Sequence, residues 1–248
     1  MRLRRLHPDV AEVSVAEALD QPGFGSRAPA QRPFVAANMV VSVDGRAAVD
    51  GRSGPLGSEA DRAIFHGLRA RVDAVLVGTG TLRAERYGRL VRDPEARAAR
   101  AAAGLAADPL VCVISRSLDV PVDIPLFQEP AQTVVVYTAS GAPLPPCPAA
   151  IHLNAMGPGL TPAGALADLR RTHGVRSVLC EGGPRLLGAL LADGLVDELF
   201  LTVSPLATGQ PAEPRIVEGA GLPAGVALEL CSVLEAEGSL FLRYAIAR

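Results

Sequence analysis

The sequence contains no lysine; all 24 of its basic residues are arginine. With the many alanines this reads as coding bias. It excludes a lysine Schiff base and the lysine of a P-loop. No Cys-x-x-Cys pair occurs among Cys112, Cys147, Cys180 and Cys231. The histidines His7, His66, His152 and His173 show no ligand spacing, so no metal site is expected. Cys112, Cys180 and Cys231 lie in apolar runs and read as buried free thiols. No apolar run is long enough to span a bilayer. The basic start, Met1 to Arg5, leads to Pro8, Asp9 and Glu12 rather than to an apolar stretch, so no signal peptide is expected. The expected location is the cytoplasm. A formal net charge of -2 leaves no basic surplus for a polyanion, so no nucleic-acid partner is expected either.

What is present is a globular balance, 49% hydrophobic against 20% charged, which argues against disorder. Residues 1–31 are weakly patterned: Ser14 to Asp20 suits a short helix, and Gln21 to Gln31 reads as a linker. Pro33 to Val43 predicts a largely buried strand, stopped by Asp44-Gly45, with a second turn signal at Asp50-Gly51. Ser58 caps a helix reaching about Arg71. Strands are expected over 72–77, 110–115, 133–138, 175–180 and 196–203, and helices over 95–107, 161–173 and 184–192. Two further strands, 226–234 and 239–247, flank Glu235 to Gly238. The alternation predicts an α/β fold with a parallel core, helices on both faces and an antiparallel edge.

Four segments carry chemistry. In Val178-Leu179-Cys180-Glu181-Gly182-Gly183-Pro184-Arg185-Leu186 a strand ends, two glycines admit a ligand to the backbone, and a proline opens a helix. Such a helix start offers free N–H groups to a phosphate, although an ordinary strand–helix turn has the same pattern. Gly78-Thr79-Gly80-Thr81 repeats the logic, and two such loops suit a dinucleotide lying across the carboxyl ends of strands. Asp44, in Ser42-Val43-Asp44-Gly45-Arg46, is either a turn former or a site carboxylate. Arg116 and Ser117, after a strand, suit the 2′-phosphate of NADPH or form a solvated loop.

In order along the chain these segments resemble the pyrimidine reductase family of riboflavin biosynthesis, the reductase part of a bifunctional deaminase–reductase. The stretches that carry the resemblance are Arg32-Pro33-Phe34-Val35 with Ser42 to Arg46, Leu68-Arg69-Ala70 with Asp73 to Leu82, Glu181-Gly182-Gly183-Pro184, and Ala192 to Leu199 with Ser204-Pro205 and Gly209. The resemblance implies a dihydrofolate-reductase-like three-layer α/β/α fold in a single domain over 32–248, and a homodimer. It implies hydride transfer from NADPH to C1′ of a ribosylamino group on a phosphorylated pyrimidine, giving the ribitylamino product. It assigns Gly78, Thr79, Gly80, Thr81, Glu85, Arg116, Ser117, Gly182, Gly183, Pro184, Arg185 and Leu186 to the cofactor. Asn38, Ser53, Arg69, Arg92 and Glu181 go to the substrate. Glu181 and, in its site-carboxylate reading, Asp44 are the candidate catalytic carboxylates. The chain departs from the family at Asn38, where a lysine is usual, at Pro55, and at Ala84-Glu85-Arg86-Tyr87 in place of Ala-Asp-Asp-Pro. These departures leave open a same-fold reductase of another ring, such as a dihydrofolate-like pterin, and a nucleotide-binding module without turnover.

Overall fold

The computed structural model describes residues 1–20 and 23–247, so the linker expected at Gln21 and Pro22 lies outside the described residues. The strands are β1 Arg2–His7, β2 Ala11–Ser14, β3 Phe34–Ser42, β4 Ala74–Gly78, β5 Leu110–Ser115, β6 Thr133–Thr138, β7 Ala150–Ala155, β8 Ser177–Cys180, β9 Glu198–Ser204, β10 Leu228–Ala236 and β11 Ser239–Ile246. The helices are α1 Val15–Ala18, α2 Glu59–Arg69, α3 Thr79–Glu85, α4 Pro94–Ala102, α5 Pro162–His173 and α6 Pro184–Ala192. The architecture is α/β. The chain divides into two units: Met1–Pro22, Val35–Leu68 and Pro184–Arg248 form one, Gly23–Phe34 and Arg69–Gly183 the other.

The second unit is built on parallel strands in the order β8-β4-β5-β6-β7. The strands β4, β5, β6 and β8 are near-continuous runs of Val, Leu, Ile and Cys, and almost every residue in them is buried. That is the composition of parallel strands covered on both faces. The strand β7 differs: its Ala-Ile-His-Leu-Asn-Ala sequence is mostly exposed and follows a proline-rich loop. It has no apolar run, so it escapes a reading based on hydrophobic periodicity. Part of the expected linker is ordered: Phe24 is buried and stacks on Phe34 with centroids 5.6 Å apart, and the Arg27 guanidinium lies 4.3 Å from the Phe34 ring centroid. The helix α5 begins at Pro162, with the Thr161 hydroxyl accepting from Gly164 N at 3.0 Å, and ends at Gly174 in the left-handed region.

The first unit is mainly antiparallel, in the order β2-β1-β10-β11-β9-β3, with β3 and β9 the parallel pair. The antiparallel portion therefore extends beyond the expected C-terminal edge. The segment read as a weakly patterned lead-in supplies β1 and β2. Their charged residues alternate with buried Leu3 and Val13, the pattern of a strand wet on one face. A capping box closes α1: Glu17 N donates to Ser14 Oγ at 3.2 Å, and Ser14 N to Glu17 Oε2 at 2.7 Å. Two buried carboxylates tie this unit together. Asp197 Oδ2 accepts from Val35 N at 2.8 Å, and Glu198 is held by Arg243, with Arg243 Nε 3.0 Å from Glu198 Oε2. The expectation for the thiols holds for Cys112 and Cys180, which are buried, and fails for Cys231, which is half-exposed on β10.

Candidate active site

In the second unit the parallel register brings several loops to one edge. Leu76 of β4 lies beside Cys180 of β8, Gly78 beside Ile114 of β5, and Ser115 beside Thr138 of β6. The segments after Gly78, Ser115 and Cys180 therefore leave from the carboxyl ends of neighbouring strands, where ligands of open α/β sheets bind.

The glycine loops interlock there. Glu181 N donates to Leu76 O at 3.0 Å, and Gly78 N donates to Gly182 O at 2.8 Å. A Cβ on Gly78 would stand 3.2 Å from Gly183 N, and one on Gly183 would stand 3.1 Å from Thr81 Oγ1. Gly182 has φ +88°, a region that side chains disfavour. The backbone is packed closely enough that a side chain at Gly78 or Gly183 would have to push a neighbour aside. Thr79, Gly80 and Thr81 form the first turn of α3, whereas Glu85 is its last residue, away from the glycines. Arg116 and Ser117 are exposed at the end of β5, and Arg116 Nη2 donates to Leu160 O at 3.1 Å.

Beside the loops lies a buried ion pair. Arg69 Nε meets Glu181 Oε1 at 2.7 Å and Arg69 Nη2 meets Glu181 Oε2 at 2.7 Å. The two side chains are 8% and 1% exposed, so neither is free to meet a ligand as an open charge. Burial works against the Arg69 charge, but Glu181 outweighs it and the guanidinium pKa is raised. The guanidinium also sits 5.0 Å from the Tyr87 ring centroid. Burial, then the neighbouring Glu181 charge, pushes the Tyr87 hydroxyl well above the usual phenol range. Arg92 is exposed, and its carbonyl accepts from Arg97 Nη1 at 2.7 Å.

The remaining nominated residues belong to the first unit. Asn38 lies mid-strand in β3, half-buried, lining a crevice with Leu19, Ile64, Phe200 and Arg243. Ser53 precedes the short turn Gly54–Leu56, where Leu56 N donates to Ser53 O at 2.9 Å. Pro184, Arg185 and Leu186 form the first turn of α6, and Pro184 O accepts from Glu218 N at 3.1 Å. Asp44 fastens a loop. Its carboxylate accepts from the Ser42 hydroxyl, from Thr208 N at 3.1 Å and from Gly209 N at 2.8 Å. These bonds hold its pKa far below the usual carboxylate range, so its geometry is that of the turn-forming alternative. Sequence reasoning missed two residues. One is Tyr87, noticed only as a departure. The other is Asp61 on α2, whose pKa is raised by burial while its Oδ1 accepts from Thr202 Oγ1 at 2.7 Å.

Comparison with known proteins decides the family. The family described as RibD C-terminal domain matches residues 33–240. The chain belongs to this RibD C-terminal domain family. A 2,5-diamino-6-ribosylamino-4(3H)-pyrimidinone 5′-phosphate reductase of Archaeoglobus fulgidus is 28% identical over 191 residues, which is 76% of this chain and 87% of that protein. The riboflavin biosynthesis protein RibD of Mycobacterium tuberculosis is 32% identical over 180 residues, 72% of this chain but 44% of that longer protein. In fold, the chain is similar to the crystal structure of a pyrimidine reductase-like protein from Corynebacterium diphtheriae. The TM-score is 0.78 at 22% identity, covering 95% of this chain and all of that one, 100%.

Proposed function

We propose that this RibD-family chain is an NADPH-dependent reductase of riboflavin biosynthesis, converting the ribosylamino group of a phosphorylated pyrimidine into a ribitylamino group. Family membership supports the reaction, as does the name of the Archaeoglobus relative, most of whose length the chain covers. The observation that carries the cofactor reading is the glycine cradle. Gly78 and Gly183 sit where a Cβ would crowd backbone or Thr81, and Gly182 has φ +88°, at the carboxyl ends of parallel strands. A diphosphate needs close approach to main-chain N–H groups, and these residues permit it.

In this reading Gly182 and Gly183 lie against the diphosphate. Pro184, Arg185 and Leu186 are cofactor candidates in their own unit, as the first turn of α6, where a helix dipole favours an anion. Arg116 and Ser117 take the 2′-phosphate; one Arg116 amine holds the Leu160 carbonyl and braces the side chain. The exposed Arg92 is a candidate for the substrate 5′-phosphate. When bound, NADPH supplies the hydride for C1′ of the opened ribosylamino group. We also propose a homodimer through the C-terminal strands, whose Leu228, Leu230 and Leu240 are 41%, 43% and 37% exposed.

The test is NADPH titration by fluorescence followed by turnover. Tight NADPH binding, with oxidation only when the phosphorylated ribosylaminopyrimidine is supplied, is the expected result. Absence of NADPH binding overturns the cofactor reading. Binding without turnover of that substrate overturns the reaction. Light scattering checks the dimer, and a monomer at micromolar concentration contradicts it.

A further inference from the structure

We propose that the second unit carries a separate small-molecule site at the amino ends of its parallel strands, on the edge opposite the glycine loops. Its ligand is a compact cation that presents N–H donors on a small apolar body.

The site is a cleft of about 270 Å³. It is framed by the residues that precede three neighbouring strands: Asp73 before β4, Asp108 and Pro109 before β5, and Gln132 before β6. His173 and Val175, between α5 and β8, also line it. Strands of this length span about 17–20 Å, which separates the cleft from the loops after Gly78 and Ser115. The walls are fixed by main-chain bonds. Leu110 N donates to Asp73 O at 3.0 Å, Gln132 N to Glu129 O at 3.0 Å, and Val175 N to Leu169 O at 3.2 Å. A frame that is already ordered loses little freedom when a ligand enters.

The lining selects the ligand. Gln132 is 1% exposed. Its Nε2 donates to Pro109 O at 3.0 Å and to Thr133 O at 3.2 Å, so the orientation of the amide is settled by two acceptors. Its Oε1 is buried and has no hydrogen-bond partner among the described residues. A buried acceptor without a donor is costly, so this side chain is one N–H short. Asp73 supplies a second acceptor. Its carboxylate accepts from Arg176 N at 3.1 Å, Ser177 N at 2.8 Å and Ser177 Oγ at 2.6 Å, and all three bonds fall on Oδ2. Oδ1 keeps its acceptor capacity. Asp108 differs, because Arg89 meets both of its oxygens, Nε to Oδ1 at 3.0 Å and Nη2 to Oδ2 at 2.5 Å. The cleft therefore offers one charged and one neutral acceptor, and Pro109, Leu110 and Val175 supply apolar wall. No arginine lines it among the described residues, so an anion such as a dinucleotide phosphate is disfavoured there.

The test uses benzamidine, an amidinium on a phenyl ring, with benzyl alcohol and benzoate as its neutral and anionic counterparts. Each is titrated into the full chain and followed by amide NMR shifts. Saturable benzamidine shifts confined to 106–110, 131–133 and 173–175 are expected, with affinity at least about tenfold above benzyl alcohol and no shift from benzoate. Equal binding of all three probes, shifts at Gly78 and Gly182 instead, or no saturation overturns the proposal. Ala131→Trp, at an exposed lining residue, fills the cleft and should abolish the shifts. Gln132→Leu removes the unpartnered acceptor and should weaken benzamidine about tenfold, as for loss of a hydrogen bond to a charged group. Unchanged affinity in Ala131→Trp overturns the site, and unchanged affinity in Gln132→Leu overturns the part given to Oε1. Should Gln132→Leu fail to fold, Ala131→Trp still decides. None of these readouts depends on NADPH or turnover, so the site stands or falls apart from the proposed reaction.

Discussion

The loop after β8 and the loop after β3 each hold a carboxylate, and they hold it by different means. Glu181 is buried and meets a full counter-charge from Arg69 on both oxygens. Asp44 is exposed and is met by two hydroxyls and two backbone amides rather than by a counter-charge. Burial decides which arrangement is required. A carboxylate removed from water needs compensation, and at Glu181 a counter-charge supplies it together with two hydrogen bonds. An exposed one keeps its hydration and uses its oxygens to organise a turn, here joining residues 42–46 to 206–209.

The largest effect should come from removing the counter-charge. Arg69→Met leaves the Glu181 carboxylate buried and unpaired, and the expected loss is about 3–5 kcal/mol of unfolding free energy. Urea denaturation with fluorescence or circular dichroism measures it. A loss below about 1 kcal/mol, typical of an exposed pair, would mean that water reaches Glu181 and that the two loops differ less than their burial implies.

Next in size is Gly78→Ala. The Gly78 backbone, at φ −78° and ψ 150°, suits any residue, so the constraint is space alone. The added methyl would meet Gly183 N at 3.2 Å and Gly182 O at 3.6 Å, and these are backbone atoms that cannot rotate away. Overpacking of this kind costs about 1–3 kcal/mol, expected here largely as weakened NADPH binding. Calorimetric titration checks it. Unchanged affinity would separate the cradle from the cofactor.

Much of this arrangement was legible in the sequence, and what was not has a physical cause. The strands β5 and β6 and the helices α5 and α6 follow from apolar runs and from Thr161, Pro162 and Pro184 as start signals. The glycine loops were visible as loops. Their interlock was not, because Gly78 and Gly182 meet through strand register rather than through spacing. The Arg69–Glu181 pair joins residues 112 positions apart, so each looked like a free charge. The strands β1 and β2 were missed because Arg2, Arg4, Arg5 and Glu12 mask a two-residue alternation that rests on Leu3 and Val13. Asp61 did not stand out within the helix that Ser58 caps, since nothing in the local sequence reveals Thr202 beside it.

Asp61 stands between the two loops in its degree of compensation. It is half-buried with a hydroxyl partner, and desolvation raises its pKa. A carboxyl whose folded pKa is raised above its unfolded value destabilises the fold once pH rises through the normal carboxylate range, because the unfolded chain ionises more readily. Asp61→Asn keeps an acceptor for Thr202 and removes that penalty. The expected outcome is a gain of up to about 1 kcal/mol at neutral pH and little change in acid. Denaturation curves at both pH values test it, and a loss at neutral pH would show that the ionised form is the one the fold uses.

The smallest effect, and the one that isolates the exposed case, is Asp44→Asn. The Ser42 hydroxyl, then the Thr208 and Gly209 amides, lower the folded pKa well below the unfolded value. For a depressed carboxylate the sign is opposite to that of Asp61. The stabilisation is complete above the unfolded pKa, about 4 for aspartate, and is lost as pH falls toward the folded one. Asn retains the oxygen but not the charge, and its amide cannot accept from Gly209 while the oxygen serves Thr208 and Ser42. The variant should therefore be slightly less stable than wild type at neutral pH and indistinguishable from it in strong acid. Thermal melts across the acid range give the difference. A gap that persists unchanged at the lowest pH would mean that shape, and not charge, is what Asp44 contributes to its turn.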